Sequence, residues 1–240
     1  MSIDVSRTGR VLHIALNRPE KRNALNGALC EALVTAIDDA QQNSEIGSIL
    51  LSGNGPAFCA GMDLSETADF SAIHERLFTS IDRTTKPIIA AVQGAALAGG
   101  MGLAANAHIV IASPDAKFGL TEIRIALWPV LVFRAVALAL GERRATELSI
   151  TGRILTTQEA KEYALVTEIA DNPVARATEI ANTVAAYSPT AMSTGLAYSR
   201  AIRNLPWPDA GQLGQTTRAA LMSHRDFKNA AAAFLAKRLA

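Results

Sequence analysis

Apolar residues recur along this chain with two different spacings, and the change falls near residue 142. Before that point, short apolar segments that suit buried strands alternate with turns and helices. After it, the spacing of about three to four residues that indicates a helix continues nearly throughout. The pattern therefore predicts an α/β first half followed by an all-helical end.

Several strands are predicted in the first half. Residues 3–5 and 11–16 are apolar segments separated by Thr8-Gly9-Arg10, which indicates a hairpin. Further buried strands are predicted over residues 47–51, 88–92 and 108–112, and loops over residues 52–56 and 114–122.

The clearest helical pattern runs from Leu25 to Ala40, where the apolar positions form one stripe and Glu31 lies away from it. Asn23 or Asn26 can cap its start, because an asparagine side chain accepts a hydrogen bond from the first helical N–H groups. Other helices are predicted over residues 66–85, 128–140, 144–150, 157–163, 173–187, 189–204 and 210–239, the last with a break near Ser223.

The segment from Pro87 to Pro114 lacks charged residues and is long enough to span a bilayer. Four glycines and several polar residues interrupt it, so it divides better into a strand, a glycine-rich turn, a short helix and a second strand. Elements of this length are apolar when they are buried on all sides. We therefore predict no membrane contact, and the N-terminus shows no apolar segment typical of a secretory signal.

Charge and cysteine content narrow the function further. With 23 basic and 22 acidic residues the net charge is close to zero, which argues against nucleic acid and against an anionic membrane as partners. Cys30 and Cys59 are the only cysteines and fit no zinc-site spacing. We expect two reduced thiols in a cytoplasmic protein that has no metal site.

Two glycine-containing turns are candidates for chemistry. Residues 58–64 follow a strand and a Gly/Pro loop, and residues 93–102 follow a strand and open a helix. The first N–H groups of a helix are unpaired and lie at the positive end of its dipole, so they suit an oxygen that becomes negative during a reaction. Either turn alone also fits a tight bend that needs glycine.

Glu122 is the third candidate, since it is the one carboxylate in a largely apolar stretch that runs from Phe118 to Trp128. Burial disfavours the ionised carboxylate and raises its pKa, as a general acid or base requires. The alternative is an exposed glutamate in a loop or at the start of a helix.

The three features together resemble the enoyl-CoA hydratase/isomerase (crotonase) superfamily. The matching motifs occur in the same order as in the family and extend over nearly the whole chain. They are residues 17–25, 58–64, 86–94, 118–122, 141–152 and 226–228. It implies a spiral of ββα units over residues 1–188, followed by a helical trimerisation region over residues 189–240. It also implies a homotrimer or a dimer of trimers.

The resemblance further implies an acyl-CoA thioester as substrate, with no cofactor besides the CoA that the substrate carries. By motif position, the N–H groups of Met62 and Gly99 hold the enolate oxygen and Glu122 is the acid/base. The residues expected to bind substrate are Arg22, Ala24, Ala60, Asp63, Leu64 and Trp128, the last as a wall of the acyl pocket. Lys21 and Arg22 are either phosphate contacts or ordinary loop charges.

The chain departs from the family's hydratases, which carry a second glutamate where this chain has Gly102. It also has Val130-Leu131-Val132-Phe133 in place of a small glycine-rich turn, and Ala98 where glycine is usual. One base suffices to move a double bond from C3 to C2, so isomerisation is favoured and hydration stands close behind. The alternative is a non-catalytic acyl-CoA-binding member.

His74 lies on the predicted helix over residues 66–85. Some relatives use a histidine from the equivalent helix. A lone histidine on a polar helix is more often a solvated surface residue, and that is the expectation for His74.

Overall fold

The computed structural model describes residues 2–66 and 71–239, with side chains up to residue 236. It divides into two compact units, Met1–Ala185 and Ala186–Ala240. Of the helix predicted over residues 66–85, residues 67–70 lie outside the described part.

The first unit alternates strands and helices in the succession β1-β2-α1, β3-α2, β4-β5-α3 and β6-β7-α4, and then continues to α7. Its described elements are β1 (Ile3–Thr8), β2 (Val11–Leu16), α1 (Gly27–Gln42), β3 (Ser48–Gly53), α2 (Ser71–Arg83), β4 (Ile88–Val92), β5 (Ala95–Leu97), α3 (Gly99–Asn106), β6 (Ile109–Ala112), β7 (Lys117–Gly119), α4 (Phe133–Leu140), α5 (Glu142–Thr151), β8 (Ile154–Thr156), α6 (Thr157–Glu162), β9 (Glu168–Ile169) and α7 (Pro173–Ala185).

Two sheets organise this unit. The larger has the order β1-β2-β3-β4-β6-β9, with β1 antiparallel to β2 and the other neighbours parallel. The smaller has the order β5-β7-β8, with β5 parallel and β8 antiparallel to β7. The predicted hairpin and buried strands are confirmed, whereas the loop predicted over residues 114–122 is wrong because it contains β7. Strands of two or three residues are too short to show a period, and for that reason β5, β8 and β9 were also not predicted.

The central strands β3 and β4 of the larger sheet are buried on both faces, and successive side chains of a strand point to opposite faces. In β4, Ile88, Ala90 and Val92 join the main core, which also receives α1 and α2, while Ile89 and Ala91 join a second core. Alanines 177, 181 and 185 of α7 complete that second core. Both faces are apolar, and the strand sequence is accordingly apolar without a break.

Helix α1 begins where a side chain satisfies its first N–H groups. Asn26 Oδ1 accepts a hydrogen bond from the Leu29 N–H at 3.0 Å, which makes Asn26 the cap. The other candidate, Asn23, is buried and donates instead to the carbonyl oxygens of Asn54 and Ala57. Asn23 therefore fixes the loop before the helix.

The second unit contains α8 (Pro189–Ala201), a 3-10 turn (Ile202–Asn204), α9 (Trp207–Ser223) and α10 (Arg225–Leu239). The break predicted near Ser223 is confirmed, since His224 has extended backbone between α9 and α10. The role of residues 189–240 in trimer contacts stays a prediction. Within the described residues, no helix combines the length and the apolar composition that a membrane span requires.

Replacing Gly47 by alanine is expected to destabilise the first unit by about 1–3 kcal/mol, as overpacking does. A Cβ at Gly47 would lie 2.7 Å from the Ala185 carbonyl oxygen and 2.9 Å from its Cα, and backbone moves aside with difficulty. Gly195→Ala is the control, because a Cβ there meets nothing within 4 Å and alanine favours the helix. Denaturant unfolding measures both, and an unchanged midpoint for Gly47→Ala would contradict the packing of α7 on the sheet.

Candidate active site

A cavity of about 350 Å³ in the first unit brings together most of the predicted site residues. Its lining includes Met62, Gly99 and Glu122, which come from three separate segments of the chain. The predicted substrate-binding residues in the lining are Ala60, Leu64 and Trp128. Arg22, Ala24 and Asp63 lie in neighbouring segments and do not line it.

The Met62 N–H is directed by a short backbone pairing. Leu25 and Met62 form a parallel bridge in which the Leu25 N–H donates to the Gly61 carbonyl at 2.6 Å and the Asp63 N–H donates to the Leu25 carbonyl at 2.9 Å. Both bonds use the residues on either side of Met62. The Met62 N–H consequently has no hydrogen-bonding partner within residues 2–66 and 71–239, and Met62 lines the cavity.

The Gly99 N–H is the first of helix α3, so the helix itself offers it no acceptor. Its turn is anchored by the Ala98 N–H, which donates to the Gly119 carbonyl at 2.8 Å. The two turns touch, since a Cβ built on Gly61 would lie 3.6 Å from the Gly99 nitrogen. The two candidate N–H groups therefore stand on adjoining turns at one cavity.

Ala98 has a backbone φ of 50° and ψ of −117°, in the left-handed half of conformational space that favours glycine. Such strain costs about 1–3 kcal/mol and is found mainly at functional sites. The Ala98 methyl also makes Gly61 obligatory, because a Cβ on Gly61 would lie 2.8 Å from it. The turn before α3 is thus held in a conformation that alanine disfavours.

Glu122 begins a 3-10 turn (Glu122–Ile125) that follows β7, and it is 9% exposed. Its Oε2 atom is buried and has no hydrogen-bonding partner within the described residues. Burial raises the pKa of Glu122, and a hydrogen bond from its own backbone N–H opposes part of that rise. The expectation of a buried carboxylate is confirmed, and its charge is weakly stabilised, as suits a proton carrier.

His74 is 5% exposed and lines the same cavity as Glu122. The expectation that it is a solvated surface residue is wrong. His74, Leu77, Phe78 and Ile81 are the buried residues of α2. Their spacing of three to four residues places them on one face, so the helical pattern held a signal for its burial.

The residues expected to bind the nucleotide end of CoA lie in or next to the turn at residues 58–64. Lys21 and Arg22 are exposed, and the Arg22 carbonyl accepts a hydrogen bond from the Ala60 N–H at 3.0 Å. Ala24 is buried. Asp63 is also buried and pairs with Arg18 at 2.8 Å, a partner that the sequence pattern did not single out.

Hydrogen bonds to Asp63 from the Ser65 hydroxyl and the Arg18 guanidinium, in that order, lower the pKa of Asp63 to about 2. Asp63 therefore carries its negative charge throughout the neutral range. In a buried position that charge is tolerable only beside a cation.

The far side of the cavity is apolar. The Trp128 side chain is 38% exposed and its ring lies 6.2 Å from that of Phe133. The helix predicted from residue 128 begins only at Phe133, because residues 128–132 form a turn in which the Val130 N–H donates to the Trp128 carbonyl at 2.8 Å and the Val132 N–H donates to the Pro129 carbonyl at 3.1 Å. Residues 128–132 are thus free to form the wall instead of a helix.

Val132 fills the space next to Gly102. A Cβ built on Gly102 would lie 2.7 Å from Val132 Cβ and 3.0 Å from a Phe78 ring carbon, and it would overlap a Val132 methyl group. Position 102 therefore accommodates no side chain in this packing.

The two cysteine side chains are buried thiols. Cys30 and Cys59 are free and buried, and burial raises the pKa of each to about 12. Across residues 2–66 and 71–239, no group of three or more His, Cys, Asp or Glu side chains is placed to hold a metal ion.

Known proteins are similar to this chain in sequence and in fold. A family model described as enoyl-CoA hydratase/isomerase matches residues 6–240. An enoyl-CoA hydratase of Mycobacterium tuberculosis is 32% identical over an alignment of 252 residues, covering 98% of this chain and 93% of that protein. The 2,3-dehydroadipyl-CoA hydratase of Escherichia coli is 34% identical over 197 residues, covering 78% of this chain and 77% of that protein.

The crystal structure of an enoyl-CoA hydratase from Mycobacterium smegmatis has the same fold, with a TM-score of 0.94 at 27% identity. The match covers 99% of this chain and 97% of that chain. The α/β fold with its C-terminal helices therefore agrees with the expectation from sequence.

Glu122→Gln is expected to gain stability relative to the natural chain as the pH rises from 4 to 8. Burial places the pKa of folded Glu122 above its unfolded value, so ionisation costs stability as the pH rises from the unfolded pKa through the folded pKa. Glutamine does not ionise and escapes that loss. Urea unfolding of both proteins across this pH range measures the difference, and a difference that is constant with pH would contradict a buried, poorly solvated Glu122.

Proposed function

Since this chain belongs to the enoyl-CoA hydratase/isomerase (crotonase) family, we propose that it acts on acyl-CoA thioesters through an enolate and isomerises a 3-enoyl-CoA to a 2-enoyl-CoA. CoA enters as part of the substrate, with its nucleotide near Arg22, Ala24 and the turn at residues 60–64. The working assembly is a homotrimer or a dimer of trimers in the cytoplasm.

In the proposed reaction, the thioester carbonyl oxygen lies between the N–H groups of Met62 and Gly99. The Glu122 carboxylate removes a proton from C2, and the electron pair left on C2 delocalises into the carbonyl to give an enolate. Glu122 then returns the proton to C4, so that the double bond moves from C3–C4 to C2–C3. A typical oxyanion donor contributes about 3 kcal/mol to such a transition state.

The packing at Gly102 is the observation that carries isomerisation. Hydration proceeds most easily when one group activates water and another protonates the α-carbon, and a single carboxylate does both less easily. The family's hydratases place their second glutamate at this position, where Val132 and Phe78 leave no room for a Cβ. Glu122 alone suffices for the transfer of a proton from C2 to C4.

Hydration is the second candidate, and the burial of His74 is the observation that favours it. Among the described residues that line the cavity, His74 is the side chain besides Glu122 best suited to transfer a proton near neutral pH. The relatives named above are hydratases. In that reaction His74 would take the place of the second carboxylate.

Purified protein offered a 3-enoyl-CoA and a 2-enoyl-CoA separately tests the proposal. We expect the first to become the 2-enoyl-CoA and the second to yield no 3-hydroxyacyl-CoA, as followed by liquid chromatography and mass spectrometry. Glu122→Gln should lower the rate by at least about a hundredfold while CoA-ester binding persists.

Formation of 3-hydroxyacyl-CoA from the 2-enoyl-CoA would establish hydration instead, and its loss in His74→Gln would assign the second proton carrier. Binding of both esters without turnover of either would identify a non-catalytic acyl-CoA-binding protein.

Gly102→Glu alone is expected to destabilise the protein and to add no hydratase activity, because the new side chain meets Val132 and Phe78. Gly102→Glu combined with Val132→Gly removes the larger obstruction and should recover at least part of the lost stability. Thermal unfolding and the 2-enoyl-CoA assay measure both effects. A stable, hydratase-active Gly102→Glu single variant would contradict the packing argument.

A further inference from the structure

We propose that the ion pair between Arg18 and Asp63 is a positioning device that holds the Met62 N–H where the enolate oxygen needs it. The inference rests on the proposed function, because it assigns a task within the same site. Neither side chain lines the cavity, so both act on the reaction through the backbone of Met62.

The Arg18 guanidinium joins the two chain segments that meet at Met62. One arm, Nη2, donates to Asp63 Oδ2 at 2.8 Å, and the other arm, Nη1, donates to the Ala24 carbonyl at 2.6 Å. Ala24 precedes Leu25 on one side of the bridge, and Asp63 follows Met62 on the other. A planar guanidinium spans two acceptors in a fixed geometry, so it sets the distance between the segments.

The Asp63 carboxylate is held at its other oxygen as well. Oδ1 accepts hydrogen bonds from the Ser65 hydroxyl at 2.6 Å and from the Ser65 N–H at 3.1 Å. The segment is fixed upstream by the Ala60 N–H, which donates to the Arg22 carbonyl at 3.0 Å. Met62 thus lies between two anchored ends, and its peptide plane has little freedom to rotate.

The ion pair also neutralises the negative charge of Asp63 next to Met62. The Arg18 and Asp63 side chains are only 16% and 6% exposed, so water screens them poorly. A carboxylate one residue from Met62, left without a cation, would oppose the negative oxygen that develops at the Met62 N–H. Arg18 neutralises Asp63 at that place and removes the opposition.

The test compares Asp63→Asn and Arg18→Lys with the control Glu168→Gln. Glu168 pairs with Arg176 at the same 2.8 Å separation, but it lies outside the cavity lining. Arg18→Lys keeps the charge and loses the two-armed geometry, which makes it the second variant should Asp63→Asn fold poorly. Circular dichroism fixes a temperature at which each variant is folded.

Two readouts separate positioning from stability. The first is kcat and KM with the 3-enoyl-CoA, and the second is the carbonyl stretch of bound butyryl-CoA labelled with ¹³C at the thioester carbon, measured by difference infrared spectroscopy. We expect kcat to fall about 10–100-fold in Asp63→Asn and Arg18→Lys with KM changed less than about threefold, because a small misplacement of a donor costs this much. The bound carbonyl should move back towards its frequency in water, while Glu168→Gln leaves both readouts unchanged.

Folded Asp63→Asn or Arg18→Lys with natural kcat and carbonyl frequency would overturn the proposal. A natural protein that polarises the carbonyl without converting either enoyl-CoA would refute the proposed reaction and leave the positioning role standing. A natural protein that binds butyryl-CoA without shifting its carbonyl would refute the positioning role, because no donor would then be placed to position.

Discussion

Two backbone hydrogen bonds on either side of Met62, one to the Gly61 carbonyl and one from the Asp63 N–H, are the constraint on which the site depends. Both join the turn to Leu25. A parallel bridge of this kind consumes the polar groups of the flanking residues and turns the N–H of the central one away from its partner. Because Leu25 is itself buried in the main core, the direction of the Met62 N–H is set by the packing of the whole unit.

The remaining elements follow from bringing two further segments to the same cavity. Strand β4 and then strand β5 lead into α3, which presents the Gly99 N–H with the helix dipole behind it. Strand β7 leads to Glu122, whose burial disfavours its charge. Two donors suited to a negative oxygen thus line the same cavity as a carboxylate that readily takes up a proton, and Trp128 belongs to its apolar wall.

Much of this arrangement could be predicted from sequence. Apolar periodicity predicted α1, the central strands and the helical end. The resemblance to the family pointed to Met62, Gly99 and Glu122. The short strands β5, β7, β8 and β9 could not be predicted, since two or three residues carry no period and their pairing depends on distant partners. The Arg18–Asp63 pair joins residues 45 positions apart, a contact that the local pattern does not encode. The prediction for His74 was wrong, because the polar composition of its helix suggested an exposed side chain. Its spacing with Leu77 and Ile81 indicated burial.

We propose that this cavity stabilises the enolate of a CoA thioester, whichever reaction follows. Exchange of the α-protons of butyryl-CoA with D₂O tests it most directly, because the saturated ester can neither isomerise nor add water, and mass spectrometry counts the deuterium gained at C2. We expect exchange by the natural protein well above the rate in buffer, and its loss in Glu122→Gln. Absence of exchange in the natural protein despite bound ester, or exchange that survives in Glu122→Gln, would contradict it.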